Sequence, residues 1–177
     1  DSYNFIGSTS PAVTSAIQTS DGGYLISGYF NAVGREKVAN NLMKINATTA
    51  AIDSSYNAGA GLGFAGGSFS PAAPIHYAGV YDVEADPINP VIHYYAGVFT
   101  SYNGVTVNKV ARIYSDGTLD TTFNPGVFKN AGSTNAYVSA VLPLTNATAG
   151  YGGKVMVFGS FDEIGGVAVS FGVALLD

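Results

Sequence analysis

Along the chain, apolar and aromatic residues gather in short runs cut by glycine and by turns rich in Asp and Asn. Tyr24-Leu25-Ile26-Ser27-Gly28-Tyr29-Phe30 follows the turn Asp21-Gly22-Gly23. Lys154-Val155-Met156-Val157-Phe158-Gly159-Ser160-Phe161 follows Gly152-Gly153, and His93-Tyr94-Tyr95-Ala96-Gly97-Val98-Phe99 is a third version. β-Branched and aromatic runs bounded by such turns predict strands. Further strands are expected at 13–19, 42–46, 110–114, 137–144 and 167–176. No segment of the sequence carries a helical apolar stripe of useful length, so the chain reads as all-β.

Aligned, these runs disclose a repeat. Gly28-Tyr29-Phe30, Gly97-Val98-Phe99 and Gly159-Ser160-Phe161 correspond, and Gly34, Gly104 and Gly165 follow them. Next come 42–46, 110–114 and 173–177, and then a turn in which Ile52-Asp53-Ser54-Ser55-Tyr56-Asn57 matches Leu119-Asp120-Thr121-Thr122-Phe123-Asn124. Asp1-Ser2-Tyr3-Asn4 is a shortened form of that turn. Three units result, about 1–52, 53–119 and 120–177. The expected fold is three degenerate β-repeats, either propeller-like or a compact array of short antiparallel sheets. Closed propellers hold about four to eight blades, so three units do not close by themselves. Starting and stopping inside a repeat suits a blade completed by both chain ends, and equally a stretch of a longer array. The glycine before each aromatic is expected at a bulge or a close approach of strands. Phe30, Phe99 and Phe161 are expected in the core. The Gly- and Ala-rich stretch 59–73 reads as a loop, or as cover for an extra strand around 64–69.

Composition narrows the functional classes. Hydrophobic residues make up 47% and charged residues 11%, so apolar content is ample for a core and the disorder signature is incomplete. The surface must be built largely from Ser, Thr, Asn, Gly and Tyr. Basic residues occur singly and the net charge is −5, which argues against nucleic acid or an anionic membrane as partner. No apolar run is long enough for a membrane helix, so no insertion is expected. Cysteine is absent, which removes disulfides and thiolate chemistry.

One stretch carries a family resemblance: Gly97-Val98-Phe99, Gly104, Val110-Ala111-Arg112-Ile113, then Asp116-Gly117-Thr118-Leu119-Asp120-Thr121-Thr122-Phe123-Asn124-Pro125-Gly126. Residues 21–30 fit the same pattern. It resembles the delta-60 repeat family, a propeller-like β-repeat of large bacterial surface proteins and some phage proteins. The middle unit departs where Ala85-Asp86-Pro87-Ile88-Asn89-Pro90 replaces an Asp-Gly turn, and the third where 145–153 is longer. The resemblance implies blades on a repeat scaffold and a place on a virion or an extracellular bacterial surface. It brings no catalytic residues with it.

Candidate chemistry is sparse. Asp82, Glu84 and Asp86 alternate, so in a strand they share one face. That suits Ca²⁺, a hard cation that takes oxygen ligands, or a carboxylate pair for glycoside hydrolysis. The same charges also suit a solvated edge strand that resists aggregation. His76 and His93 lack an evident third zinc ligand. Asp53 and Asp120 recur where turns need side-chain acceptors, and Asp162-Glu163 reads as a solvent turn. Tyr77, Tyr81, Tyr94 and Tyr95, with Tyr102 and Tyr114 nearby, suit a sugar-binding platform or inter-sheet packing. The expected function is a non-enzymatic structural or adhesive module that contacts other structural proteins or copies of itself. The alternative is a carbohydrate-binding module for surface glycans, calcium-assisted. A polysaccharide-cleaving enzyme using Asp82, Glu84, Asp86 or Asp162 ranks third.

Overall fold

A computed structural model of the chain describes residues 5–6, 11–33, 36–37, 40–56, 63–66, 79–145, 150–170 and 172–177. Among the described residues the secondary structure is entirely β, and six strands recur three times in one order. The first set is β1 (Phe5–Ile6), β2 (Ala12–Gln18), β3 (Tyr24–Tyr29), β4 (Ala32–Val33), β5 (Glu36–Lys37) and β6 (Leu42–Ile45). The second is β7 (Phe64–Ala65), β8 (Gly79–Ala85), β9 (Ile92–Val98), β10 (Ser101–Tyr102), β11 (Val105–Thr106) and β12 (Val110–Tyr114). The third is β13 (Phe128–Lys129), β14 (Tyr137–Pro143), β15 (Val155–Ser160), β16 (Glu163–Ile164), β17 (Val167–Ala168) and β18 (Val173–Leu176). Each set makes two antiparallel sheets of three strands. The larger have the orders β2-β3-β6, β8-β9-β12 and β14-β15-β18, and the smaller β1-β4-β5, β7-β10-β11 and β13-β16-β17. The single strand expected at 167–176 is thus two strands, because the chain leaves the small sheet before entering the large one. Of the 64–69 expectation, Phe64–Ala65 is a strand, and 67–69 lies outside the described residues.

The long strands are alike in detail. Each first strand bulges against the second, at Thr14, at Tyr81 and at Ser139. Opposite each bulge stands the glycine that precedes the aromatic. A Cβ on Gly28 would lie 2.0 Å from the Ala12 carbonyl oxygen, one on Gly97 2.1 Å from that of Gly79, and one on Gly159 2.1 Å from that of Tyr137. No side chain fits there, so glycine is required by contact rather than by its torsion angles. The bulge adds twist to the sheet.

The register gives each large sheet two faces. On the first sheet the front face carries Ser15, Ile17, Leu25, Ser27, Leu42 and Lys44, and the back face Ala16, Tyr24, Ile26, Met43 and Ile45. The front of one sheet packs on the back of the next. Leu25 and Leu42 join Val83, Tyr95, Ala111 and Ile113 in one core. Tyr94, Ala96 and Val110, from the front of the second sheet, join Val141, Val155, Val157 and Leu176 in another. Correspondingly, β2 and β3 pack on β8, while β8 and β9 pack on β14. Phe99 and Phe161 are buried as expected, against Phe64 (4.5 Å between ring centres) and Phe128 (5.2 Å) of the small sheets. Phe30 is also buried, in a lesser cluster behind the first sheet.

Candidate functional site

The acidic trio of the middle unit does not form one cluster. Asp82, at the bulge of β8, spans two seams: the Ser15 hydroxyl donates to Oδ1 (3.3 Å) and the Val141 N–H to Oδ2 (3.0 Å). It therefore ties the first and third units to the second. Glu84 shares its face of the strand, and burial, with a smaller contribution from the Asp82 charge, raises its pKa. Asp86 lies past the strand end and caps the next turn, accepting from the N–H groups of Ile88 (2.8 Å) and Asn89 (3.0 Å). Alternation in the sequence placed three carboxylates together, but the strand stops one residue early and Asp86 turns away. Among the described residues no group of three or more His, Asp or Glu side chains could hold a metal ion. The solvated-edge expectation is corrected too. β8 is an edge in its hydrogen-bond ladder, yet both neighbouring sheets pack against it.

The tyrosines divide. Tyr94 and Tyr95 are 1% and 0% exposed, so neither ring offers a face to a sugar, which corrects their place in a binding platform. The Tyr94 hydroxyl reaches Asp86, and its ring meets Phe123 edge-on at 5.7 Å. The Tyr95 hydroxyl bonds that of Tyr56 at 3.1 Å. Tyr81 is the bulge residue itself and is half-buried. Its ring lies 5.8 Å from Tyr29 and 6.3 Å from Tyr137, one tyrosine from each unit. Burial, then the neighbouring Tyr29 and Tyr137, pushes its hydroxyl well above the usual range. Of the other bulge residues, the Ser139 hydroxyl donates to the Phe158 carbonyl (3.0 Å), and the Thr14 hydroxyl lies 2.6 Å from the Val80 carbonyl of the second unit and 3.2 Å from that of Ser27. Tyr77, like His76, lies outside the described residues.

His93 is fully buried on the back of the second sheet, and neither ring nitrogen has a hydrogen-bond partner. Burial, with the nearby Lys44 charge, lowers its pKa to about 4. The recurrent aspartates are turn acceptors, as expected: Asp53 accepts from the Ser55 N–H (3.0 Å) and Asp120 from the Thr122 N–H (2.9 Å). Each also pairs with a front-face cation. Lys44 lies 3.8 Å from Asp53, and the Arg112 Nε lies 2.8 Å from Asp120. Burial works to raise the pKa of Asp120, but the hydrogen bonds from Thr122 and Tyr114 and the Arg112 charge together outweigh it, and the net shift is downward.

The third front face departs from this scheme. Where the first sheet has Lys44 and the second Arg112, the register places Leu175. Around it stand Ala140, Leu142, Met156, Phe158 and Val173. Leu142 is 50% exposed, and Leu175 and Val173 are each 41% exposed. The two covered front faces carry polar groups at their centres, whereas the exposed one is apolar there, with Ser160 at one end and the Lys154–Asp177 ion pair at the other. Aligning the strands of the sequence displays the Lys-Arg-Leu exchange, but whether a sheet covers that face is decided only by the fold.

Residues 94–123 match the profile of a family described as a beta-propeller domain of unknown function, DUF5122. The matched stretch runs from β9 through the β10-β11 hairpin and β12 to the Asp120 turn. It supports a propeller-like relationship for this part of the middle unit. No curated protein and no solved structure matches the chain.

Proposed function

We propose that the protein is a non-enzymatic structural or adhesive module of a phage virion or bacterial surface, built from delta-60-type repeats, and that it works by contact of its third front face with a second copy of the chain. The observation that carries this is the exposed sheet face of Ala140, Leu142, Met156, Phe158, Val173 and Leu175. A free surface favours polar residues, and a contiguous exposed apolar face marks an interaction site. Within the molecule a front face is covered each time by the back face of another unit. On the back of the first sheet Met43 and Ile45 are already buried, and Tyr24, 46% exposed, is open to a partner. Two copies bring together six units, inside the range of about four to eight blades at which propellers close. The glycan-platform alternative loses Tyr94 and Tyr95 to the core.

Light scattering at several concentrations tests this reading. The chain is expected to associate, and Leu175→Glu to weaken association by roughly thirtyfold or more, the effect of losing a central interface residue worth about 2 kcal/mol. Val167→Glu, at a site 67% exposed on the third small sheet, is expected to change nothing. Monomers at every concentration, or association indifferent to Leu175→Glu, would refute the proposal.

A further inference from the structure

The residue just before each last long strand has the same backbone conformation in all three units. Asn41, Lys109 and Gly172 have φ of 65°, 64° and 64°. The carbonyl of each accepts the N–H of the bulge-facing glycine, Gly28 at 3.2 Å, Gly97 at 2.9 Å and Gly159 at 2.9 Å. The fold therefore demands a left-handed residue here. Glycine, and asparagine next, tolerate that region best. The middle unit instead uses lysine, at a conformational cost.

Lys109 is also only 4% exposed. Among the described residues Lys44, Arg112, Lys129 and Lys154 each have a carboxylate partner, and Lys109 has none. Burial accordingly lowers its pKa. An ammonium group withdrawn from water without a counter-charge is unfavourable. Two costs meet at one side chain, in a place where the sister units show that Asn and Gly serve the fold. Local violations of folding rules concentrate at functional sites.

Lys109 lines a cleft of about 250 Å³ at the seam of the second and third units, together with Thr100, Asn108, Val127, Phe128, Thr134 and Asn135. We infer that this cleft binds one acidic sugar residue, its carboxylate on the Lys109 amine and its hydroxyls on the amide and hydroxyl groups of Asn108, Asn135 and Thr134. The lining is that of a hydroxyl-rich ligand, with one fixed positive charge for an anionic substituent. The volume is below that of most drug-sized pockets, about 300–1,000 Å³, and suits a single ring. The assignment is independent of self-association, which uses a different face.

The test is titration of the intact chain with glucuronate, glucose and acetate, followed by the amide resonances of Asn108, Lys109 and Asn135. Glucuronate is expected to bind at least about tenfold more tightly than glucose, the worth of one charged hydrogen bond, and more tightly than acetate. Lys109→Gly and Lys109→Asn copy Gly172 and Asn41, so both are expected to fold, to melt at a higher temperature and to lose glucuronate binding. Equal binding of acetate and glucuronate would reduce the site to a bare carboxylate site and overturn the sugar assignment. Absence of binding, or binding unchanged in both variants, would overturn the site itself.

Discussion

At Gly97 the carbonyl oxygen of Gly79 lies 2.1 Å from where a Cβ would stand, so even alanine has no room. Because the obstacle is backbone, Gly97→Ala must move β8 away from β9. It is expected to cost about 1–3 kcal/mol or more, measured as a fall in the urea midpoint. Burial of His93 has a different signature. Its folded pKa, about 4, lies below the ordinary 6.5, so between those values the unfolded chain binds the proton more tightly. Stability from this group is complete above about pH 6.5 and falls as pH drops toward 4, by about 3 kcal/mol in all. His93→Val, which copies Val155 at the matching place, is expected to flatten that part of the curve. A decline of unchanged steepness would assign the titration to another group. The glycine was legible in the sequence because a missing side chain leaves a mark in an alignment. The histidine was not, since nothing beside it in the chain tells that both nitrogens lack partners.

For the strands, legibility followed length. The second and third long strands of each unit stand within a residue or two of where apolar runs and Gly turns put them, save the split at 167–176. Two-residue strands such as β10 or β17 have no periodicity to read, and half of the sheets were therefore invisible. β8 misled for another reason. Its acidic residues look like solvent-facing groups, but Asp82 satisfies a neighbouring strand's N–H inside a seam. Asp82→Ala leaves the Val141 N–H without its acceptor, and is expected to cost about 1–3 kcal/mol. Ser15→Ala, which removes the weaker contact at 3.3 Å, should cost less. A double-mutant cycle on the pair gives their coupling, and strict additivity would show that the hydroxyl contributes nothing through Asp82.

Over the whole molecule, one packing rule serves both internal seams, and the third front face follows the same register without a covering sheet. The candidate site was only partly legible. The tyrosines and carboxylates that drew attention as ligand groups are largely consumed in holding units together. Lys109 lies just outside the aligned run 110–114, and nothing in its immediate sequence sets it apart. Its oddity needs the left-handed backbone of Asn41 and Gly172 beside it.

Every one of the six sheets draws its strands from a single unit. Among the described residues, neighbouring units are joined by side-chain packing, a few hydrogen bonds and the isolated bridge between Asn40 and Gly63, with no shared ladder. Under tension applied through the chain ends, such a molecule resists as a series of separate fuses rather than as one clasp. Stretching it is expected to give up to three successive force peaks, each releasing roughly one repeat of chain. A protein that holds a particle or a cell against flow would gain from this, since one unit can yield and dissipate the load while the others stay folded.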